Sequence, residues 1–262
     1  TVPDGLDPAS VPLAALDLIK LATANASFSE ERLTAPLEDA AKWRKTTDFL
    51  EVVLDAQHTG SNNWAIHGSR TDTGMPILGS DPHRLHGMPS LRMVVHLTCP
   101  GLDVVGAGEP SVPGVMIGHN GTMAWGLTIF YIDQEDVYVY DVHPDDPDLY
   151  RHDGGWERMR QVDEAVPVRG HADQVLTLKF TRHGPVVFED AAAKRAYAVR
   201  SVGFEPGTAP YLVALKLMRA RNLAEFRAAA VTWGTPSCNL VYADKAGDIA
   251  WMPCGINPVR PN

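Results

Sequence analysis

The chain is poor in cysteine. Its three, Cys99, Cys238 and Cys254, stand at wide and irregular spacing in 262 residues. No CxxC pair and no disulfide framework can be built from them, and they read as buried thiols. Long apolar runs are missing too. No stretch approaches the roughly 18 residues needed to span a bilayer, and Thr1-Val2-Pro3-Asp4-Gly5 does not open a secretory leader. Basic charge is scarce: 23 Lys and Arg stand against 32 Asp and Glu, a net charge of −9 with no basic block. Nucleic acid and anionic membrane surfaces are therefore not expected partners. There is no internal repeat and no low-complexity segment. What remains, 45% apolar and 21% charged residues, is an ordinary globular composition. The length suits one large domain or two small ones.

Two patterns divide the chain. Val11 to Ala26 and Leu37 to Gln57 carry apolar residues at helical spacing, as in Trp43, Phe49, Leu50, Val53 and Leu54, and Pro36 sits where a helix would begin. From Ser61 onward, short strands are expected at Asn63–His67, Leu91–Leu97, Val115–Ile117, Met123–Thr128 and Asp136–Val142, punctuated by Gly and Pro. Asp173–Phe180 alternates apolar and polar residues as a half-buried strand does. Helical composition returns at Tyr211–Arg221 and Asn222–Val231, with Asn222 as N-cap. Asn239–Asp244 and Asp248–Trp251 then read as a hairpin turning at Lys245-Ala246-Gly247. The fold class is α+β.

The chemistry centres on Gly60-Ser61-Asn62-Asn63-Trp64. Inside a chain, Ser61 is an ordinary turn residue, because its hydroxyl is a weak nucleophile without an adjacent base. Cutting the Gly60–Ser61 bond would give it a free α-amino group with a pKa of about 7.7–8. One residue would then hold both nucleophile and base, at a pKa suited to neutral pH.

The residues that follow extend this reading. Ser80-Asp81-Pro82-His83 is succeeded by Gly118-His119-Asn120-Gly121 and Ala124-Trp125-Gly126-Leu127-Thr128. Next come Thr181-Arg182-His183-Gly184-Pro185-Val186, Asn239-Leu240-Val241-Tyr242-Ala243-Asp244 and Pro258-Val259-Arg260. In this order and spacing the set resembles the penicillin acylase family of N-terminal-nucleophile amidohydrolases, from about residue 55 to the end of the chain. The resemblance implies a four-layer αββα sandwich, here incomplete, and a precursor that cuts itself at Gly60–Ser61. Residues 1–60 would be the end of the smaller subunit and its linker, and residues 61–262 the start of the larger subunit. It implies Ser61 as nucleophile, with the Ile129 N–H and the Asn239 side-chain amide as oxyanion donors. A tetrahedral intermediate develops charge on its oxygen, which such prepositioned neutral donors stabilise. It places His83 beside the nucleophile's amino group or the substrate amide, and Arg260 near the site. Read without the resemblance, His83 is a turn residue and Arg260 a surface arginine. Asn62, His119 and Asn120 read as scaffold.

No cofactor is required on this reading. Asp133 and Asp136 stand where some relatives bind a structural calcium, and carboxylates suit that hard cation; the other reading is a solvated acidic loop. The implied partners are a small-molecule amide substrate, such as a penicillin, a cephalosporin or an N-acyl homoserine lactone, and the remaining segments of the precursor. The implied location is the periplasm or the cell exterior. A rival reading from another class is a truncated, non-catalytic or unprocessed module that keeps the fold for binding. A histidine metal cluster (His83, His86, His96, with Asp81 and Asp103) lacks any ligand-spacing motif. Gly106-Ala107-Gly108 lacks the strand–helix setting of a phosphate loop. One departure from the family stands out: Cys238 precedes the oxyanion asparagine where many relatives carry glutamine.

Overall fold

The computed structural model describes residues 7–23, 30–36, 38–39, 42, 60–83, 90–209 and 212–260. In chain order these form helices α1 (Ala14–Thr23) and α2 (Glu30–Thr34), followed by strands β1 (Ser61–Ile66), β2 (Ile77–Pro82) and β3 (Met93–Cys99). Next come β4 (Leu102–Gly108), β5 (Ile117–His119) and β6 (Met123–Ile129). The middle of the chain supplies β7 (Glu135–Asp141), β8 (Leu149–His152), β9 (Gly155–Arg158) and β10 (Arg160–Val166). Then follow β11 (Gln174–Thr181), β12 (Gly184–Asp190) and β13 (Arg195–Ser201). Helices α3 (Val213–Leu217) and α4 (Leu223–Ala230) lead to the closing hairpin β14 (Cys238–Asp244) and β15 (Ile249–Cys254). The chain divides into two compact units. The Ser61 unit is His58–Gln134 with Val202–Arg260; the Tyr140 unit is Thr1–Gln57 with Glu135–Ser201 and Pro261–Asn262.

In the Ser61 unit, six antiparallel strands lie in the order β15-β14-β6-β5-β4-β3. Strand side chains alternate between faces, so β14 sends Cys238, Leu240 and Tyr242 to one side and Asn239, Val241 and Ala243 to the other. The first face is the core. There Trp125, Leu240, Tyr242 and Phe226 are fully buried, packed with Val213, Ala214 and Leu217 of α3 and Ala229 and Ala230 of α4. Helix α4 starts as expected: the Asn222 side chain accepts from the Glu225 N–H at 2.9 Å. Its buried Phe226, Ala229 and Ala230 fall at i, i+3 and i+4, one stripe of a helix. The helix expected over Tyr211–Arg221 is shorter, only Val213–Leu217.

The second face carries the β1–β2 hairpin, whose register pairs Ser61 with Pro82 and Asn63 with Ser80. Its close approach depends on Gly126. A Cβ there would stand 2.6 Å from the Ser80 Cβ, inside any real contact. Asn120 bears out the scaffold reading geometrically. Its buried amide donates to the Ala220 carbonyl at 2.6 Å and accepts from the Met123 N–H at 3.0 Å, so its hydrogen-bonding groups are used where water is excluded.

In the Tyr140 unit, five antiparallel strands run β10-β11-β12-β13-β7, with β8 and β9 as a separate hairpin. Its core is Tyr140, Val142, Tyr150, Met159, Ala196 and Ala198. The alternation in β11 does not produce the expected half-buried strand: Val175 is 64% exposed, Leu176 51% and Leu178 42%. Its partner β10 ends the sheet, so β11 lies one strand from an open edge.

The helical pattern of Leu37–Gln57 lies outside the described residues, apart from 38–39 and 42, and so does His86. Val115 precedes β5 instead of opening it, because it is buried and its carbonyl accepts from the Trp125 indole N–H. Cys238 and Cys254 are buried thiols facing each other across β14 and β15, and burial pushes the Cys254 thiol up to about 11. Cys99, by contrast, is exposed. Gly106-Ala107-Gly108 closes β4, a strand paired to strands.

Candidate active site around Ser61

Ser61 is the first residue of β1. With the Gly60–Ser61 bond in place, its Oγ donates to the Gly60 carbonyl oxygen at 2.6 Å. The His83 backbone N–H addresses both atoms, reaching Gly60 O at 3.2 Å and Ser61 Oγ at 3.3 Å. It can do so because β2 ends opposite Ser61, which brings the residue after Pro82 alongside the junction. The contact of His83 with the nucleophile is thus through its main chain. Its imidazole lies beside Gly60, with Nε2 2.8 Å from Asp81 Oδ2. Asn62 Nδ2 donates to the same carboxylate at 3.3 Å. The His83 contact, and secondarily Asn62, hold the Asp81 carboxyl below its usual range.

Ser61, Asn63 and Ala65 share the inward side of β1, with Asn62, Trp64 and Ile66 facing out. Asn63 therefore projects to the same side as Ser61, two residues or about 6.5–7 Å along the strand. Its Nδ2 donates to the main-chain oxygen of Asn239 at 2.9 Å. This bond fastens the serine strand to the asparagine strand, and sequence reasoning assigned it to no residue. Position i+2 from a nucleophile at a strand start is the signal that could have found it.

Asn239 is held from both flanking strands. Directly opposite on β6 stands Thr128, whose Oγ1 is 3.2 Å from Asn239 Nδ2. On β15 the Trp251 indole N–H donates to Asn239 Oδ1 at 2.9 Å. Cys238, the departure noted above, lies in the buried core on the opposite face of β14, where its Sγ contacts the Pro236 carbonyl. The side-chain hold on Asn239 thus comes from Thr128 and Trp251.

Ile129 ends β6 opposite Cys238. The next residue, Phe130, donates to the Ser237 carbonyl at 3.0 Å. Hydrogen-bonded and non-bonded pairs alternate along an antiparallel ladder, so the Ile129 N–H turns away from β14. Strand β5 covers β6 only at Trp125 and Ala124, well short of Ile129. The loop after Ile129 is tied down. The Ile132 N–H reaches Ser237 Oγ at 3.0 Å, and Gln134 Nε2 donates to the Gly234 and Ile256 carbonyls. Arg260 belongs to this fastening: its Nη2 donates to the Asp133 carbonyl at 3.1 Å and pairs with the Asp133 carboxylate at 3.2 Å.

The structure thus joins Ser61, His83, Asn239 and Ile129 through β1, β2, β14 and β6, and sets Arg260 on the loop behind Ile129. Asp133 is already paired with a guanidinium, and Asp136 lies in the Tyr140 unit, opposite Arg200 in the β7–β13 register. His96 pairs with Asp103 at 2.7 Å, across β3 and β4. Among the described residues no group of three or more His, Cys, Asp or Glu is arranged to hold a metal. Among them too, no helix is long and apolar enough to cross a membrane.

An α+β fold in which a serine opens a strand that Asn63 ties to Asn239 of β14 is that of the N-terminal-nucleophile hydrolases. The penicillin amidase family model matches residues 9–262, and the chain belongs to that family. It is 34% identical over 237 residues to the penicillin acylase 2 proenzyme of a Pseudomonas species, a match covering 88% of this chain and 30% of that protein. Penicillin G acylase of Escherichia coli is 28% identical over 202 residues, covering 77% and 24%. The acyl-homoserine lactone acylase QuiP of Pseudomonas aeruginosa is 27% identical over 239 residues, covering 86% and 27%. Among solved structures, a thermostable penicillin G acylase from Alcaligenes faecalis superposes with a TM-score of 0.71 at 32% identity, over 76% of this chain and 36% of that one. The chain therefore spans about a third or less of the length of these relatives.

Proposed function

We propose that this chain is the nucleophile-bearing part of an amidohydrolase precursor that cuts its own Gly60–Ser61 bond and then hydrolyses linear amides. The observation that carries the reading is the shared donor at the junction. One N–H, that of His83, meets both the carbonyl oxygen to be polarised and the hydroxyl that would attack. In the cut, a bond forms between Ser61 Oγ and the Gly60 carbonyl carbon, the C–N bond breaks, and the released nitrogen takes up the hydroxyl proton. Water then hydrolyses the ester, leaving residues 1–60, the end of the smaller subunit, and a larger-subunit segment from Ser61 onward. In turnover, Ser61 Oγ attacks the substrate carbonyl while its own α-amine accepts the proton. The Ile129 N–H and Asn239 Nδ2 stabilise the oxyanion, and water releases the acid.

The substrate class follows the family: side-chain amides such as those of penicillins, cephalosporins or N-acyl homoserine lactones. The rest of the precursor completes the site, and the setting is periplasmic or extracellular. A calcium at Asp133 and Asp136 fits poorly, since the Arg260 cation already occupies the Asp133 carboxylate. No step of the proposed reaction runs through a metal.

Intact mass spectrometry tests the reading. Incubation should yield pieces corresponding to residues 1–60 and 61–262, Ser61→Ala should abolish them, and a serine-directed acylating probe should label Ser61 only after the cut. A chain that never cleaves and never labels would be a non-catalytic module of the same fold.

A further inference from the structure

The orientation of the Asn239 amide decides whether it can donate to an oxyanion at all. Its oxygen and nitrogen are nearly the same size, so shape alone does not fix which points where; the hydrogen-bond partners do. An indole N–H can only donate. The atom 2.9 Å from Trp251 Nε1 must therefore be the asparagine oxygen, which leaves Nδ2 on the Thr128 side. Thr128 could not decide this itself, because a hydroxyl donates or accepts equally well. The contact also follows from the register. Asn239 opposes Pro253 and Val241 opposes Trp251, so Asn239 and Trp251 are diagonal neighbours on one face of the hairpin. That separation is within the reach of an aromatic side chain.

We infer that Trp251 is a positioning residue: its indole N–H fixes the Asn239 carboxamide with the NH2 group turned out to donate. The inference rests on the proposed role of Asn239 as oxyanion donor. Trp251 is 65% exposed, so its packing contributes little to the fold and its removal is tolerable. Trp251→Phe keeps the ring and deletes the donor. The amide can then rotate and present its oxygen to a developing negative charge.

The test combines kinetics with NMR on the full chain. Trp251→Phe should lower the acylation rate constant by about 3- to 100-fold, short of the 10²–10³ lost when an oxyanion donor is removed outright. KM should stay within about twofold, since the effect falls on the transition state alone. In the unsubstituted protein the Trp251 indole proton should exchange with solvent more slowly than in the denatured chain. The Asn239 side-chain amide signals should move in Trp251→Phe. A variant that acylates at the unsubstituted rate, or unchanged Asn239 amide signals, overturns the inference. If the unsubstituted protein fails to acylate while the indole proton is protected and the amide signals move, the amide orientation stands and the catalytic reading of the site falls.

Discussion

In the Ser61 unit the central strand pair is closed in from both faces. Helices α3 and α4 bury Leu240 and Tyr242 on one side, and the β1–β2 hairpin lies over Asn239 on the other. In the Tyr140 unit the core is concentrated around Tyr140, Tyr150 and the first half of β13, while β11 leaves Val175, Leu176 and Leu178 to solvent. Polar groups differ accordingly. Asn239 meets three partners from three strands. The Tyr140 unit instead gathers an aromatic and basic cluster: His183 is stacked on Tyr138 with ring centroids 4.0 Å apart, hydrogen-bonded to Tyr140, and has His152 at its edge. A side chain gains a fixed direction where several backbones converge on it, and a strand pattern alone does not supply that convergence.

The sharpest break between the units is Ser61→Ala. Cleavage at residue 60 and probe labelling should vanish in intact-mass spectra, with the thermal transition unchanged. Next, Phe226→Ala in the fully buried core should lose about 3–5 kcal/mol in urea unfolding, whereas Val175→Ala at the open face should stay within about 0.5 kcal/mol. Asn239→Ala should lower kcat by about 10²–10³ with a smaller change in KM, a loss of about 2.7–4 kcal/mol of transition-state stabilisation. The gentlest probe is pH. Burial, and then the nearby Arg200, His152 and Arg182, hold the His183 imidazole below its ordinary 6.5. Its neutral form is therefore favoured in the folded state. The stability it contributes is complete above the unfolded value near 6.5 and is lost as pH falls through the lower folded one. Hydrogen exchange between pH 7 and 5 should show strands β7 and β13 loosening before β6 and β14.

Much of this was legible in the residues. The strand expected at Met123–Thr128, the Asn222 cap and the closing hairpin all fall where their local patterns indicate, and Ser61 opens a strand. These calls depend on neighbours in sequence: a cap, a turn, an alternation. The unread part depends on neighbours in space. Trp251 lay in plain view within the hairpin, yet its role appears only once Asn239 and Trp251 are placed in register. Strands β2, β4, β8, β9, β10, β12 and β13 carry no such local pattern; β13, for one, is buried on both faces over Ala196–Val199, so its sequence does not alternate. The apolar period of β11 marks a strand but not its burial, since nothing local tells a strand what will cover it. Arg260 likewise gains its contacts only in space. The resemblance places it near the site, and its guanidinium sits on Asp133, on the loop after Ile129.

Gly60 has a use that, on the proposed reading, ends with the cut. A Cβ on it would lie 3.1 Å from the His83 Nδ1 atom, so any side chain there presses on the ring that leans against Asp81. On the proposed reading, residue 60 departs with the shorter piece and takes no part in later turnover. Gly60→Ala should therefore lengthen the half-time of cleavage and leave the activity of each matured molecule unchanged. That makes the junction glycine a dial on how quickly working enzyme accumulates, separate from how well it works.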